Sequence, residues 1–394
     1  MSPLEEFRAT TRHWLEENCP PSMRTPLPED ERVWGGRNPT FKNPDSKLWF
    51  ERMVARGWTV PTWPKEYGGG GLSQDEALIF EEEMRRLNCR APLFGFGISM
   101  LGPVLLKYGT AVQKALHLPR ITRGEIRWCQ GYSEPGAGSD LASLQTKADD
   151  HGDHYRVNGQ KIWTSYAHLA DWIFCLVRTD TTTKHGGISF LLFDMTSPGV
   201  DARPIALISG SSVFCEVFFT DVPVPKENLV GAVNGGWDIA KQLLQHERGM
   251  ISQIGRAIGG TVPSVERVAQ AYLGDANGRI TDPLLRDAVT QHVMNDHAFD
   301  LTLRRAAEES EYGAATGGAS SMFKYYGTEQ NKRKFELLLK IIGTDALGWE
   351  GAGFSLDELV ICRQWLRSKG NSIEGGTSEI QLNVIAKSVL GLPG

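Results

Sequence analysis

The sequence predicts an α+β, multidomain protein in which a β domain is set between two helical ones. Three observations predict it. First, 394 residues are enough for two or three domains at about 150 residues each. Second, 41% hydrophobic and 23% charged residues give a chain able to bury real cores, unlike a disordered tail. Third, the apolar pattern changes period twice, near residues 125 and 228. Residues 1–125 read as helix. Ser73-Gln74-Asp75-Glu76 is a capping box, with Ala77 to Phe80 and Met84 following at helical spacing and Gly68 to Gly71 as a break before it. Residues 126–228 read as strands, including Trp172 to Val177, Ile188 to Phe193 and Cys215 to Phe219. Asn158-Gly159 between Tyr155-Arg156-Val157 and Gln160 to Trp163 reads as a hairpin turn. Residues 229–394 return to helix: one helix after Gly235-Gly236, one opened by Thr281-Asp282-Pro283, and a last one from Thr377.

The charge balance excludes some functions. With 42 basic residues against 47 acidic ones, the net charge of −5 gives no surplus to neutralise phosphates, so nucleic acid is not an expected partner. No apolar run approaches the ~20 residues that span a bilayer, and the first residues carry no basic-then-apolar leader. The six cysteines are far apart, none in a metal-ligand spacing, and the nine histidines form no HxxxH pair. No metal site is expected, and reduced thiols point to the cytoplasm.

Two stretches carry chemistry. Gln130-Gly131-Tyr132-Ser133-Glu134-Pro135-Gly136-Ala137-Gly138-Ser139-Asp140 combines small residues, which let a backbone approach a ligand, with hydroxyls and free N–H groups that can hold an anion. Taken alone, it reads more readily as a glycine-rich interdomain loop. Lys161-Ile162-Trp163-Thr164-Ser165 offers an indole to stack on a planar ring and two hydroxyls to donate to it, although a lone Trp there is more often core.

In this order, across the first helix–strand boundary, the two stretches resemble the acyl-CoA dehydrogenase family of flavoproteins. The resemblance extends to Trp63 through Gly69, Asp221-Val222-Pro223-Val224-Pro225, Asn228-Leu229-Val230-Gly231 and Gly376-Thr377-Ser378-Glu379-Ile380-Gln381. It implies an N-terminal helical domain, a middle β-barrel-like domain and a C-terminal four-helix bundle, with FAD bound between the last two. It implies cofactor contacts from Gln130, Tyr132, Ser133, Gly138, Ser139, Trp163, Thr164, Ser165, Thr377 and Glu379. Trp-Thr-Ser stands where many members have Trp-Ile-Thr, so Ser165 takes the usual Thr place.

The reaction so implied is α,β-dehydrogenation of an acyl-CoA thioester, which needs a carboxylate base. Most members place a Glu immediately before Gly-Thr-Ser; here that position is Gly375, with Glu374 one residue earlier. Isovaleryl-type members carry the base on the first long helix of the C-terminal domain, which corresponds here to Glu247, followed by Arg248 in a supporting place. Glu247 is therefore the expected base, with Glu374 as the alternative. The segments with which homotetrameric members reach a neighbour's FAD are weak here: Tyr272 to Ile280 lacks the usual pattern, and of the glycine-rich one only Ile342-Gly343 and Leu347-Gly348 remain. The chain resembles a bacterial branch acting on dicarboxylyl-CoA or sterol side-chain CoA esters. A homotetramer or a heterotetramer with a related subunit is expected, with an electron-transfer flavoprotein as acceptor. The rival readings are a non-catalytic partner subunit and an acyl-CoA oxidase or flavin monooxygenase.

Overall fold

A computed structural model describes residues 2–252, 262–311 and 319–393; at 29, 245–252, 275, 307, 310 and 311 only the backbone is described. The chain forms two compact units, Met1–Ile205 with Ser212–Leu243, and Ala206–Ser211 with Leu244–Gly394.

The first unit begins with helices Pro3–Asn18, Pro44–Ala55, Gln74–Arg86, Gly102–Tyr108 and Ala111–Thr122. Three of them open on reciprocal capping boxes, Ser2 with Glu5, Ser73 with Glu76 and Thr110 with Gln113, which satisfy N–H groups left free in a first turn. Leu15, Trp49, Met53 and Phe80 of the first three helices share one core with Met23 and Trp58. Gln113 then ties the last helix to the sheet, because its amide donates to the carbonyls of Glu227 (2.7 Å) and Leu229 (2.8 Å).

The sheet comprises β1 (Trp128–Gly131), β2 (Lys147–Asp150), β3 (His154–Ser165), β4 (Trp172–Arg178), β5 (Ile188–Asp194), β6 (Val200–Ile205), β7 (Phe214–Pro225) and β8 (Leu229–Val230). The order is β6-β7-β3-β2-β4-β5-β8, with β1 pairing β4 in parallel. Alternate residues of β3 and β7 (Tyr155 and Val157, then Cys215, Val217 and Phe219) point into one core with β4 and β5, whose residues are nearly all buried.

The hairpin expected at Asn158-Gly159 does not form. β3 runs straight through it, pairing β2 on one side and β7 on the other. The turn signal marks a bulge instead. Between Val157 and Gly159 the register slips against an extra residue on β7, Asp221 at φ +50°, and Asn158 and Asp221 bond each other (2.8 and 3.1 Å). Gly159 is required by proximity, because a Cβ there would lie 2.6–2.8 Å from Thr146.

The helix Gly236–Ser252 follows; its first glycine presses on β5, where a Cβ would lie 2.5 Å from the Ser189 main chain. The second unit has helices Val265–Leu273, Pro283–Glu311, Ala319–Ile342, Leu356–Ser368 and Ser378–Val384. Asp282 caps the second of these through the N–H groups of Leu284 and Leu285 (both 2.9 Å). Val265, Val268, Ala269, Val289, Phe335, Leu338, Ile341 and Ile361 form the core. No described helix is long and apolar enough to cross a membrane.

Candidate active site

The Tyr132–Asp140 stretch leaves β1 and closes at once into a tight turn. Glu134 and Ala137 exchange main-chain hydrogen bonds (3.1 and 3.0 Å) around Pro135-Gly136. The turn is fastened from below by a buried ion pair that the sequence reading missed. The Lys161 ammonium, 0% exposed, donates to Glu134 Oε1 (2.8 Å) and to the Tyr132 carbonyl (3.1 Å). Glu134 also accepts the N–H groups of Gln145 (2.6 Å) and Thr146 (2.9 Å). Burial pushes this carboxyl up, but Lys161 and the N–H donors outweigh it and hold it below the ordinary carboxylate range. The signal that could have found the pair is a Lys at an inward position of β3 opposite an acid in the turn.

This ion pair and the Ile162 N–H to Ser133 carbonyl bond (2.9 Å) bring the two chemistry-bearing stretches together. The expected residues do different work. Gln130 lies in β1 opposite Phe174. The Tyr132 ring is buried edge-on against Phe174 and Phe190. Ser133 is half-buried, while Gly138 and Ser139 are exposed. A Cβ on Gly136 or Gly138 would meet nothing within 4 Å, and neither residue has positive φ. The chain's own packing therefore does not demand these glycines, and the space over them is open to a ligand.

At the end of β3 a second bulge re-aims the chain. Lys161 pairs with Val217 and Thr164 with Cys215, so β3 carries one residue more than β7 between those pairs. Trp163 sits in the bulge at φ +60°, a conformation that costs a non-glycine residue roughly 1–3 kcal/mol. Its indole is 53% exposed and touches Phe214 edge-on at 6.0 Å. Thr164 is buried, and its hydroxyl has no partner among the described residues. Ser165 closes the pairing opposite Phe214. The outward-held indole and the open glycine turn are thus brought together at the end of β3 by the Ile162–Ser133 bond, with the buried, orphaned Thr164 hydroxyl next in the strand. Those features fit a planar ring carrying hydrogen-bonding heteroatoms and an attached anion.

In the second unit the turn before the last helix is held by a polar network. Both oxygens of Glu374 are engaged, Oε1 by the Asn371 amide (2.5 Å) and Oε2 by Arg367 (2.7 Å), and Asn331 donates to Asn371 (2.8 Å). Gly375 and Gly376 follow at φ +64° and +87°, a region that disfavours any side chain there. Thr377 caps the helix by accepting the Ile380 N–H (3.2 Å), Ser378 donates to Glu329 (3.1 Å), and Glu379 is exposed. Residues 247 and 248 belong by backbone to the Gly236–Ser252 helix, one turn beyond buried Leu243; the side chains of Glu247 and Arg248 lie outside the described residues.

Three family models cover the chain in order: acyl-CoA dehydrogenase N-terminal domain over residues 3–125, middle domain over 129–222 and C-terminal domain over 234–390. Among curated proteins it is similar to the acyl-CoA dehydrogenase IpdE1 of Mycobacterium tuberculosis, 37% identical over 100% of this chain and 99% of that one. Among solved structures it is similar to the Tcur3481-Tcur3483 steroid ACAD (TM-score 0.78, 30% identity, 100% and 99% of the two chains). It is also similar to the ChsE4-ChsE5 complex from Mycobacterium tuberculosis (TM-score 0.74, 31% identity, 100% and 99%).

Proposed function

The chain belongs to the acyl-CoA dehydrogenase family, whose members are FAD-dependent oxidoreductases acting on acyl-CoA, and we propose that it converts an acyl-CoA thioester to the trans-2-enoyl-CoA with Glu247 as base. The observation that carries this reading is the bulge that holds an exposed Trp163 indole in left-handed conformation beside the orphaned Thr164 hydroxyl and the open Gly136–Gly138 turn. Strain of that kind survives where the surroundings enforce it and function uses it.

In this reading Trp163, Thr164 and Ser165 would hold the flavin ring, the indole by stacking and the hydroxyls by donating hydrogen bonds. Ser133, Ser139 and the N–H groups of the glycine turn would hold the pyrophosphate, and Thr377 and Glu379 would be further cofactor contacts. FAD, when bound, supplies the two-electron acceptor for the hydride that leaves the β-carbon. The Glu247 carboxylate takes the α-proton as that C–H bond breaks, and the carbon–carbon double bond forms. Exclusion of water by the acyl chain raises the basicity of a carboxylate so placed. Arg248 steadies the base. Glu374 is not suited to the task, because both its oxygens are committed to Arg367 and Asn371.

The relative solved as a complex of ChsE4 with ChsE5 favours a heterotetramer with a related subunit over a homotetramer. An electron-transfer flavoprotein is the proposed acceptor and the cytoplasm the proposed location. Anaerobic titration of the purified yellow protein with short, long, dicarboxylyl and steroidal CoA thioesters tests the function. Bleaching of the flavin by at least one class is expected. A flavin untouched by every thioester, with or without a partner subunit, would contradict the proposal, and rapid reoxidation by oxygen alone would favour an oxidase.

A further inference from the structure

The inward side of the Ala319–Ile342 helix changes chemistry halfway along. Phe335, Leu338 and Ile342 in its second half belong to the apolar core. Ser321, Lys324, Thr328 and Asn331 in its first half recur at the same three- or four-residue spacing and are just as buried, so the stripe is polar where a core is ordinarily apolar. Part of it is satisfied: Thr328 donates to the Lys324 carbonyl (2.8 Å), and the Asn331 amide donates to Asn371. Ser321 Oγ, Lys324 Nζ and Asn331 Oδ1 have no hydrogen-bond partner among the described residues, nor has Gln381 Oε1 on the Ser378–Val384 helix that packs alongside.

Lys324 is the costly member. Its side chain is 0% exposed, and an ammonium buried without a partner loses several kcal/mol of hydration. Burial drives it down to about 8, against the opposing pull of Glu374, Glu329 and Glu379. None of these carboxylates bonds it. Glu374 is held by Arg367 and Asn371, Glu329 by Lys332 and Ser378, and Glu379 is exposed. Glu374 and Glu379 flank the Gly375–Thr377 turn, so the unpaired ammonium lies electrostatically close to the segment read above as bordering the cofactor.

We infer that Lys324 and Ser321 form a specificity-determining subsite that receives a hydrogen-bond-accepting oxygen, in the strongest case a carboxylate, carried by the acyl group away from its thioester. This rests on the dehydrogenase reading. An acceptor oxygen satisfies the ammonium and the hydroxyl together, and the local charge of Lys324, Arg367 and Lys332 against Glu374, Glu329 and Glu379 leaves no excess of negative charge to repel it.

Binding to the purified holoenzyme tests the subsite, read as the shift of the flavin absorbance band with length-matched pairs of monocarboxylyl- and dicarboxylyl-CoA thioesters. The native protein should bind one or more dicarboxylyl members about tenfold or more tighter than their matched partners, the worth of one charge-assisted hydrogen bond. Lys324→Met should abolish that preference and leave affinity for the monocarboxylyl thioesters unchanged. Where Lys324→Met does not fold, Ser321→Ala decides, with a preference reduced several-fold as the expected result. Equal affinities across every pair, a preference that survives Lys324→Met, or one left undiminished by Ser321→Ala would overturn the inference alone. No spectral response to any thioester would overturn the dehydrogenase reading with it.

Discussion

Trp163 and Glu134 show why single residues of this site are costly in isolation. At φ +60° Trp163 carries strain that a glycine would relieve, while glycine in a strand loses roughly 0.5–1 kcal/mol of entropy. Trp163→Gly is therefore expected to leave the flavin-free chain about as stable, by thermal melting, and to weaken flavin retention several-fold through loss of an aromatic stack. Retention equal to that of the native protein would mean that the exposed indole is not a cofactor contact. Glu134 is the opposite case. Glu134→Gln strands the Lys161 ammonium in the interior, at an expected cost of about 3–5 kcal/mol in urea unfolding. The folded carboxyl is held below its ordinary value, so its contribution is present above that value and is lost as pH falls through the depressed one. The variant should lack that acid-side slope.

At the scale of the element, legibility depended on whether a residue speaks for its own backbone or for a partner. Capping boxes are local, and Ser73 with Glu76 formed as read. Asn158-Gly159 is local chemistry overruled by tertiary pairing: the left-handed and close-approach tolerance that serves a hairpin also serves a bulge, and β2 and β7 on the two sides of β3 decided the matter. Lys161 and Lys324 were illegible because a buried lysine looks like a surface one until its surroundings are known. The glycines of the first bulge and of the turn after β1 should separate structure from function. Gly159→Ala meets Thr146 at under 3 Å and should destabilise the fold by about 1–3 kcal/mol. Gly136→Ala and Gly138→Ala meet nothing, so their melting temperatures should match the native protein while flavin affinity falls; unaltered affinity would remove the turn from the cofactor site.

For the whole molecule, the helix–strand–helix order was readable because hydrophobic period is a property of long stretches, whereas strand order and the burial of polar networks depend on contacts distant in sequence. Stability of the chain should carry a second acid-side signature, from a buried imidazole. His117 is buried between the indoles of Trp128 and Trp172, and burial, with Arg120 adding, lowers its imidazole from 6.5 to about 4. The neutral form is favoured in the fold, so its contribution is whole above pH 6.5 and is lost as pH falls toward 4, amounting to about 3 kcal/mol. Urea unfolding at pH 7 and pH 4.5 should show that loss in the native protein and a flatter profile in His117→Phe. The chemistry is tested most directly by stopped-flow anaerobic reduction of Glu247→Gln and Glu374→Gln, each reconstituted with FAD and mixed with a thioester that bleaches the native enzyme. The account predicts that the first keeps its flavin but is reduced at least about a thousandfold more slowly, while the second stays within about tenfold of native. Native-rate bleaching in Glu247→Gln would contradict it.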